Sequence, residues 1–296
     1  MAKIKIAIIL RPIIKDEFKA VIVNLLRWLS KRSVACYFLK SEEEKLKKLF
    51  SHSNLEAENF ISSKELEKMN FLLSLGGDGT LIGLCRMIKG KTPIIGVNWG
   101  RLGFITEYNA ESMYQCLSKV IEGDYQLKKC PLFTVKVSLN GKIVFREKFI
   151  NDLVISRNDI SRLFAVKVEC EDESLLDIAG DGLILSTPIG STAYSLAAGG
   201  PVVHPSVGAL IITPICPHSL LHRPIVVPDR FGVRVRLAPQ EREVALTIDG
   251  QVTQSIDQRH VVEIIREKNQ FVNFVSNPEK TYFHTLKEKF IHNLRS

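Results

Sequence analysis

Much that would assign this chain to a class at a glance is missing from it. Its six cysteines, Cys36, Cys85, Cys116, Cys130, Cys170 and Cys216, form no CxxC pair. That argues against a zinc ribbon or a disulfide framework and predicts buried thiols in a reducing compartment. Long apolar runs are absent near the N-terminus, where the core of residues 5–10 is followed at once by Arg11. Such a run is too short for a signal peptide or a membrane span, so the expected location is cytoplasmic. No low-complexity tract, internal repeat or Pro/Ser-rich linker interrupts the chain. Nor is there a concentrated basic patch: the net charge is +8, but the lysines and arginines are scattered, and the densest cluster, EEEKLKKLF, carries three glutamates. That segment reads as a solvated helix face rather than a nucleic-acid contact, and a positive balance equally suits small anionic ligands such as nucleotides.

What is present is a soluble globular composition, 45% hydrophobic and 24% charged over 296 residues, long enough for two cores. In the first third, strand-length apolar runs at 5–10, 35–39, 71–75 and 93–97 alternate with helical patterns. These include residues 17–32, with Val21, Val23, Leu25, Leu26 and Leu29 as the apolar face, and residues 80–88. Alternation of this kind predicts an α/β domain with a mostly parallel sheet. Later the period changes to two. Residues 133–149 read as two strands joined by Asn140-Gly141, a dipeptide suited to a tight hairpin turn. Similar strands at 163–170, 230–238, 243–250 and 260–265 predict a predominantly β, sandwich-like C-terminal domain. A final helix is expected after Asn277 as N-cap and Pro278 as first helical residue, with Tyr282, Phe283, Leu286 and Phe290 on its docking face. The expected domains are 1–105, joined by 268–296, and 106–267.

Two familiar phosphate signatures fail. Gly90-Lys91-Thr92 has Cys85 where a Walker A loop needs glycine, and a GxGxxG fingerprint from Gly77 and Gly79 meets Ile82 at its third glycine. The stretch LLSLGGDGTLIG at 72–83 nevertheless ends a buried strand on Gly76 and Gly77 and opens a helix, an arrangement that admits phosphate. Asp78 is the anomaly there. A carboxylate repels phosphate unless it faces a metal or a hydroxyl to be deprotonated, and its simplest alternative role is to cap the helix. A second cluster, at 181–201, concentrates Ser186, Thr187, Gly190, Ser191, Thr192, Tyr194, Gly199 and Gly200, more small hydroxyls and glycines than an ordinary loop needs. His218 and His222 stand four apart, but Pro217 and Pro224 bracket them and no third zinc ligand is evident.

Taken together, GGDGT (76–80), GVNWGRLGFITE (96–107), Asn151-Asp152, GDGLILSTPIGSTAYSLAAGGPVVHP (180–205), PHSLLHRPIVVP (217–228) and DGQ (249–251) resemble the NAD kinase family in order and spacing. The resemblance runs from the first strand to the last helix. It implies transfer of the ATP γ-phosphoryl group to the 2′-hydroxyl of the adenosine ribose of NAD, with a divalent cation, most simply magnesium, bound to the ATP phosphates. It implies Asp78 as general base, with Gly76, Gly77 and Gly79 near the nucleotide. It further implies Asn151, Asp152, Asp181, Thr192, Ala193, Tyr194, Ser195, Ala197 and Gln251 around NAD, Arg162 near the pyrophosphate, and a homo-oligomer such as a tetramer. The family usually has glutamate at Asp152, often serine at Ala197 and often arginine at Gly83. The two competing readings are a kinase for another hydroxyl, because lipid kinases and phosphofructokinases share the GGDG turn, and a non-catalytic NAD(P)-binding sensor.

Overall fold

The computed structural model describes residues 4–13, 16–49, 59–88, 90–100, 103–157 and 164–292. The chain divides into two compact units, residues 1–130 with 271–296, and residues 131–270.

The first unit opens with β1 (Lys5–Leu10), α1 (Asp16–Ser30), β2 (Ala35–Leu39) and α2 (Glu43–Leu49). It continues through β3 (Phe60–Ile61), β4 (Phe71–Gly76), α3 (Asp78–Met87), β5 (Ile94–Asn98), β6 (Tyr108–Asn109) and α4 (Ser112–Glu122). Strand β1 pairs in parallel with β2 and β4, β4 with β5, and β2 with β3, giving the order β5-β4-β1-β2-β3. All six residues of β4 are buried, as covering on both faces requires. In α1 the fully buried positions are Ile22, Leu25 and Leu29. Val21, Val23 and Leu26 flank them and are only half-buried, so the stripe sits one residue away from where Val21 and Val23 place it. Because the order reverses between β1 and β4, the crevice at their carboxyl ends is where open α/β sheets bind ligands. The GGDG turn leaves β4 at that point.

The second unit takes in β7 (Leu127–Leu139) from residue 131 onward and its hairpin partner β8 (Lys142–Phe149), then β9 (Asp152–Arg157), β10 (Phe164–Cys170), β11 (Glu173–Gly180) and β12 (Gly182–Ser186). There follow the one-turn α5 (Tyr194–Ala197), β13 (Ala209–Ile215), β14 (Ile225–Pro228), β15 (Val233–Leu237), β16 (Val244–Ile248), β17 (Val252–Ile256) and β18 (His260–Val275). One sheet has the order β14-β13-β12-β9-β16-β17, antiparallel throughout, and in the other the strands of this unit run β11-β10-β15-β18, with β7 paired to β18 and β8 to β7. Alternate residues such as Leu153, Ile155, Val166, Val168, Val235 and Leu246 form one core. The β7–β8 turn has positive φ at both Asn140 (51°) and Gly141 (76°), the geometry that Asn-Gly favours.

The last helix, α6 (Tyr282–His292), starts later than its sequence signals suggest. Asn277 does not cap it. The Asn277 side chain instead accepts from the Glu279 N–H at 3.0 Å and closes its own turn, while the His284 N–H donates to Thr281 Oγ1 at 3.2 Å. The docking face also differs: Thr285 is buried, whereas Phe283 and Phe290 are 66% and 41% exposed. Burial of Cys85, Cys116 and Cys130 matches the expectation for thiols in the core, but Cys216 is exposed. Burial pushes the Cys116 thiol up to about 11, which leaves it unreactive at neutral pH. Among the described residues no helix is long and apolar enough to cross a membrane.

Candidate functional site

The turn after β4 gathers Gly76, Gly77, Asp78 and Gly79 at the start of α3. Gly76 is glycine for a local reason, since a Cβ there would collide with the Thr80 hydroxyl of the first helical turn. Gly77 is the N-cap of α3 and, lacking a side chain, caps nothing. Asp78 does not take over that duty. Its carboxylate turns to the loop after β5, where Oδ2 accepts from the Phe104 N–H at 2.8 Å. Oδ1 accepts from the Thr106 N–H at 3.1 Å, the Thr106 hydroxyl at 2.7 Å and, at 3.4 Å, the Ile105 N–H. The capping role is thereby excluded in this conformation. Gly103 lies directly against the carboxylate, and a Cβ there would strike Asp78 and Thr106. Behind Thr106, the Asn98 side chain donates to its hydroxyl at 3.1 Å and accepts from the Gly100 N–H at 2.8 Å. On α6, Tyr282 packs by the Phe104 ring at 6.5 Å between centroids, and Lys289 sits 5.3 Å over it.

In the second unit, the segment of Asn151 and Asp152 meets the loop that carries Thr192, Ala193 and Tyr194, with the Tyr194 N–H donating to the Asp152 carboxyl and Gly190 against Asn151. Residues 150–152 enter β9, and the loop after β12 folds onto them. The Thr187 N–H donates to the Asn151 carbonyl at 2.9 Å, and the Thr187 hydroxyl donates to the Ile150 carbonyl at 2.5 Å. Gly190 sits so close that a Cβ would lie within 2.7 Å of Asn151 Cα. Asn151 Oδ1 is buried and, among the described residues, accepts no hydrogen bond. From the other side Asp249 accepts from the N–H groups of Ile150 (3.2 Å), Asn151 (2.8 Å) and Asp152 (3.2 Å). Asp249 and Gly250 both have positive φ, 49° and 63°, so DG is the β16–β17 hairpin turn and also the clamp on this segment.

Most hydroxyls of the serine- and threonine-rich loop serve the loop itself. Ser191 Oγ accepts from the Val203 N–H at 2.8 Å, Ser195 Oγ and Thr213 Oγ1 lie 2.9 Å apart in the interior, and the Thr192 hydroxyl donates to the Ile189 carbonyl at 3.2 Å. The Ser195 side chain is therefore turned inward, because its hydroxyl finds a buried partner. Ala197 and Tyr194 are exposed. Asp181, between β11 and β12, accepts from Arg157 Nη2 at 2.6 Å and is engaged by that guanidinium. Gln251 is exposed in the β16–β17 turn. Arg162 lies outside the described residues. His218 and His222 lie in a non-helical loop, and among the described residues no three His, Cys, Asp or Glu side chains are grouped to hold a metal ion.

Asp152 is 6% exposed, and burial, then the neighbouring Asp249 charge, push its carboxyl up to about 7, against a hydrogen bond from the Tyr194 N–H. The fold thus favours the neutral acid. Its contribution to stability is fully present below the unfolded value of 3.8 and is lost as pH rises through about 7. Asp152→Asn keeps a neutral group in place. At pH 8 it is expected to stabilise the unliganded protein by about 2–4 kcal/mol relative to the parent, with the gap closing below about pH 4. Thermal melts of both proteins from pH 4 to 8 measure this, and a pH-independent gap contradicts it.

Asn98, Gly103, Thr106 and Asp249 also belong to the site's geometry, although residue type and spacing do not mark them individually; all four lie inside GVNWGRLGFITE and DGQ, two of the segments that carry the family resemblance.

The ATP-NAD kinase N-terminal domain model matches residues 6–125, and the ATP-NAD kinase C-terminal domain model matches residues 150–276. The chain is 36% identical over 266 residues to the NAD kinase of Aquifex aeolicus, covering 85% of this chain and 96% of that one. It is 41% identical over 216 residues to the NAD kinase of Geobacter sulfurreducens, covering 73% and 76%. Among solved structures, yeast NADH kinase complexed with NADH superposes with a TM-score of 0.87 at 22% identity, over 97% of this chain and 87% of that one. An NAD kinase from Archaeoglobus fulgidus in complex with ATP gives 0.72 at 24% identity, over 97% and 98%. Those two show a shared fold, and the family models and sequence relatives show descent: the chain belongs to the NAD kinase family.

Proposed function

We propose that the chain transfers the γ-phosphoryl group of ATP to the 2′-hydroxyl of the adenosine ribose of NAD, giving NADP and ADP, with Asp78 as general base. The observation that carries the reading is the Asp78 carboxylate, turned away from its own helix at the carboxyl end of β4 in a chain whose family has this activity. A ribose hydroxyl is a weak nucleophile, and a positioned carboxylate that takes its proton as the phosphoryl group moves is the help this reaction needs. Asn151, Asp152, Thr192, Ala193 and Tyr194 hold the dinucleotide in this reading. The Asn151 Oδ1 acceptor is available to an amino group, and the Asp152 carboxyl, pushed up to about 7, supplies a donor in its protonated form.

The divalent cation, magnesium, enters with ATP. The described residues do not assemble a protein-held metal site. Bound to the phosphates, the cation neutralises charge on the transferring group. A cytoplasmic homo-oligomer belongs to the same reading, and sedimentation velocity tests its assembly.

Purified protein incubated with NAD, ATP and magnesium is expected to form NADP, with none formed when ATP is omitted or EDTA is added. ATP consumption on another alcohol without NADP would instead indicate a different acceptor. NAD binding without turnover would indicate a sensor.

A further inference from the structure

Two side chains, Asn98 and Thr106, form a directional chain that ends on Asp78 and that the proposed reaction leaves without a role. The Gly100 N–H donates to Asn98 Oδ1 at 2.8 Å, which fixes the Asn98 amide so that Nδ2 points the other way. Nδ2 donates to Thr106 Oγ1 at 3.1 Å. A hydroxyl carries one proton, and with a lone pair taken by Asn98 that proton is directed to Asp78 Oδ1, 2.7 Å away. Asn98 is 8% exposed and Thr106 is fully buried, so both side chains act inside the protein. The two carboxylate oxygens of Asp78 end up unlike. Oδ1 receives the Thr106 hydroxyl and N–H, with the Ile105 N–H at 3.4 Å, whereas among the described residues Oδ2 receives only the Phe104 N–H. A carboxylate oxygen offers two lone-pair sites, which leaves one open on Oδ2.

We infer that Asn98 and Thr106 are positioning residues that saturate Asp78 Oδ1 and leave Oδ2 as the atom that accepts the proton of the acceptor hydroxyl. The inference rests on the reading of Asp78 as base. In the step, the hydroxyl O–H bond breaks and its proton passes to Oδ2. The oxygen bonds to the γ-phosphorus, and the bond from that phosphorus to the β–γ bridging oxygen breaks, ADP leaving with the electron pair. Thr106 fixes the plane of the carboxylate, Asn98 fixes the sense of the Thr106 hydroxyl, and neither touches substrate. Losing the hydroxyl lets the carboxylate rotate, and a misaligned base slows the proton-transfer step without changing how NAD or ATP binds.

The test is steady-state kinetics on Thr106→Val, Thr106→Ser and Asn98→Ala, alone and combined, with melting curves to establish folding. Thr106→Val is expected to lower kcat by about 10- to 100-fold, with KM for NAD and for ATP within about twofold. Thr106→Ser, which keeps the hydroxyl, recovers most of that loss. Asn98→Ala lowers kcat by about 3- to 10-fold, and the double variant Asn98→Ala/Thr106→Val is no slower than Thr106→Val, because Asn98 acts through Thr106. In an Asp78→Asn background Thr106→Val has no further effect on kcat. A folded Thr106→Val with parental kcat overturns the inference, as do multiplicative losses in the double variant or a further loss in the Asp78→Asn background. If Thr106→Val does not fold, the Asn98→Ala result decides alone, parental kcat overturning the inference. Parental activity in Asp78→Asn itself would sink the base assignment, a failure distinct from these.

Discussion

Asp78→Asn is expected to lower NADP formation by about 10² to 10⁴ in kcat while NAD still binds, the range for removing a positioned base. The substitution replaces one carboxylate oxygen by an NH₂ of nearly equal size. Asparagine Oδ1 can keep the Thr106 hydroxyl and N–H as donors, so the carboxylate's better-bonded side is preserved. The cost falls on the other side, where an amide nitrogen would meet the Phe104 N–H, donor against donor. A melting curve therefore accompanies the kinetics, to separate a lost base from a displaced loop. Calorimetric titration with NAD supplies the second arm, since the residues proposed to hold the dinucleotide lie in a different segment. Equal turnover in the variant would remove Asp78 from the mechanism. Lost turnover together with lost NAD binding would move it from base to ligand contact.

Gly190→Ala is expected to raise KM for NAD by about 10- to 100-fold, a consequence of moving the Asn151 backbone by a fraction of an ångström to about one ångström. The new methyl would collide with the Asn151 carbonyl and lie within 2.7 Å of its Cα, so backbone rather than a flexible side chain must give way. Little freedom is available. The Asn151 carbonyl already accepts from the Thr187 N–H at 2.9 Å, and its own N–H is taken by Asp249 at 2.8 Å. Either the 187–190 turn lifts off or Asn151 shifts, and both displace its buried Oδ1. Overpacking of this kind also costs about 1–3 kcal/mol of stability. NAD titration and thermal melts read the two effects separately, and parental values in both would show that the glycine is not required for close approach.

The parts of the fold that the sequence reveals are those set by near neighbours. Four parallel strands, β1, β2, β4 and β5, coincide with apolar runs because a strand covered on both faces has no polar side to show. The β7–β8 turn follows from Asn140-Gly141 because positive φ is a property of those two residues themselves. Where the sequence misleads, a competing partner decides. Asn277 and Pro278 look like a helix start, yet Asn277 bonds its own turn and the Glu107 carbonyl, and the helix begins after Thr281. Phe283 and Phe290 share a helical stripe but stay outside, because burial of α6 turns on what it packs against.

The same division runs through the candidate site. Family membership, the acid in the GGDG turn and the glycines around it are properties of residue identity and order, and one-dimensional pattern is enough to find them. The direction of the Asp78 carboxylate, the upward push on the Asp152 carboxyl and the inward turn of Ser195 are not. Each depends on donors, charges or hydroxyls brought from elsewhere in the chain: 26 to 28 residues for Asp78, 97 to the Asp249 charge beside Asp152, and 18 for Ser195 and Thr213. A short polar side chain chooses among partners within about 3 Å, and only the folded backbone places those partners.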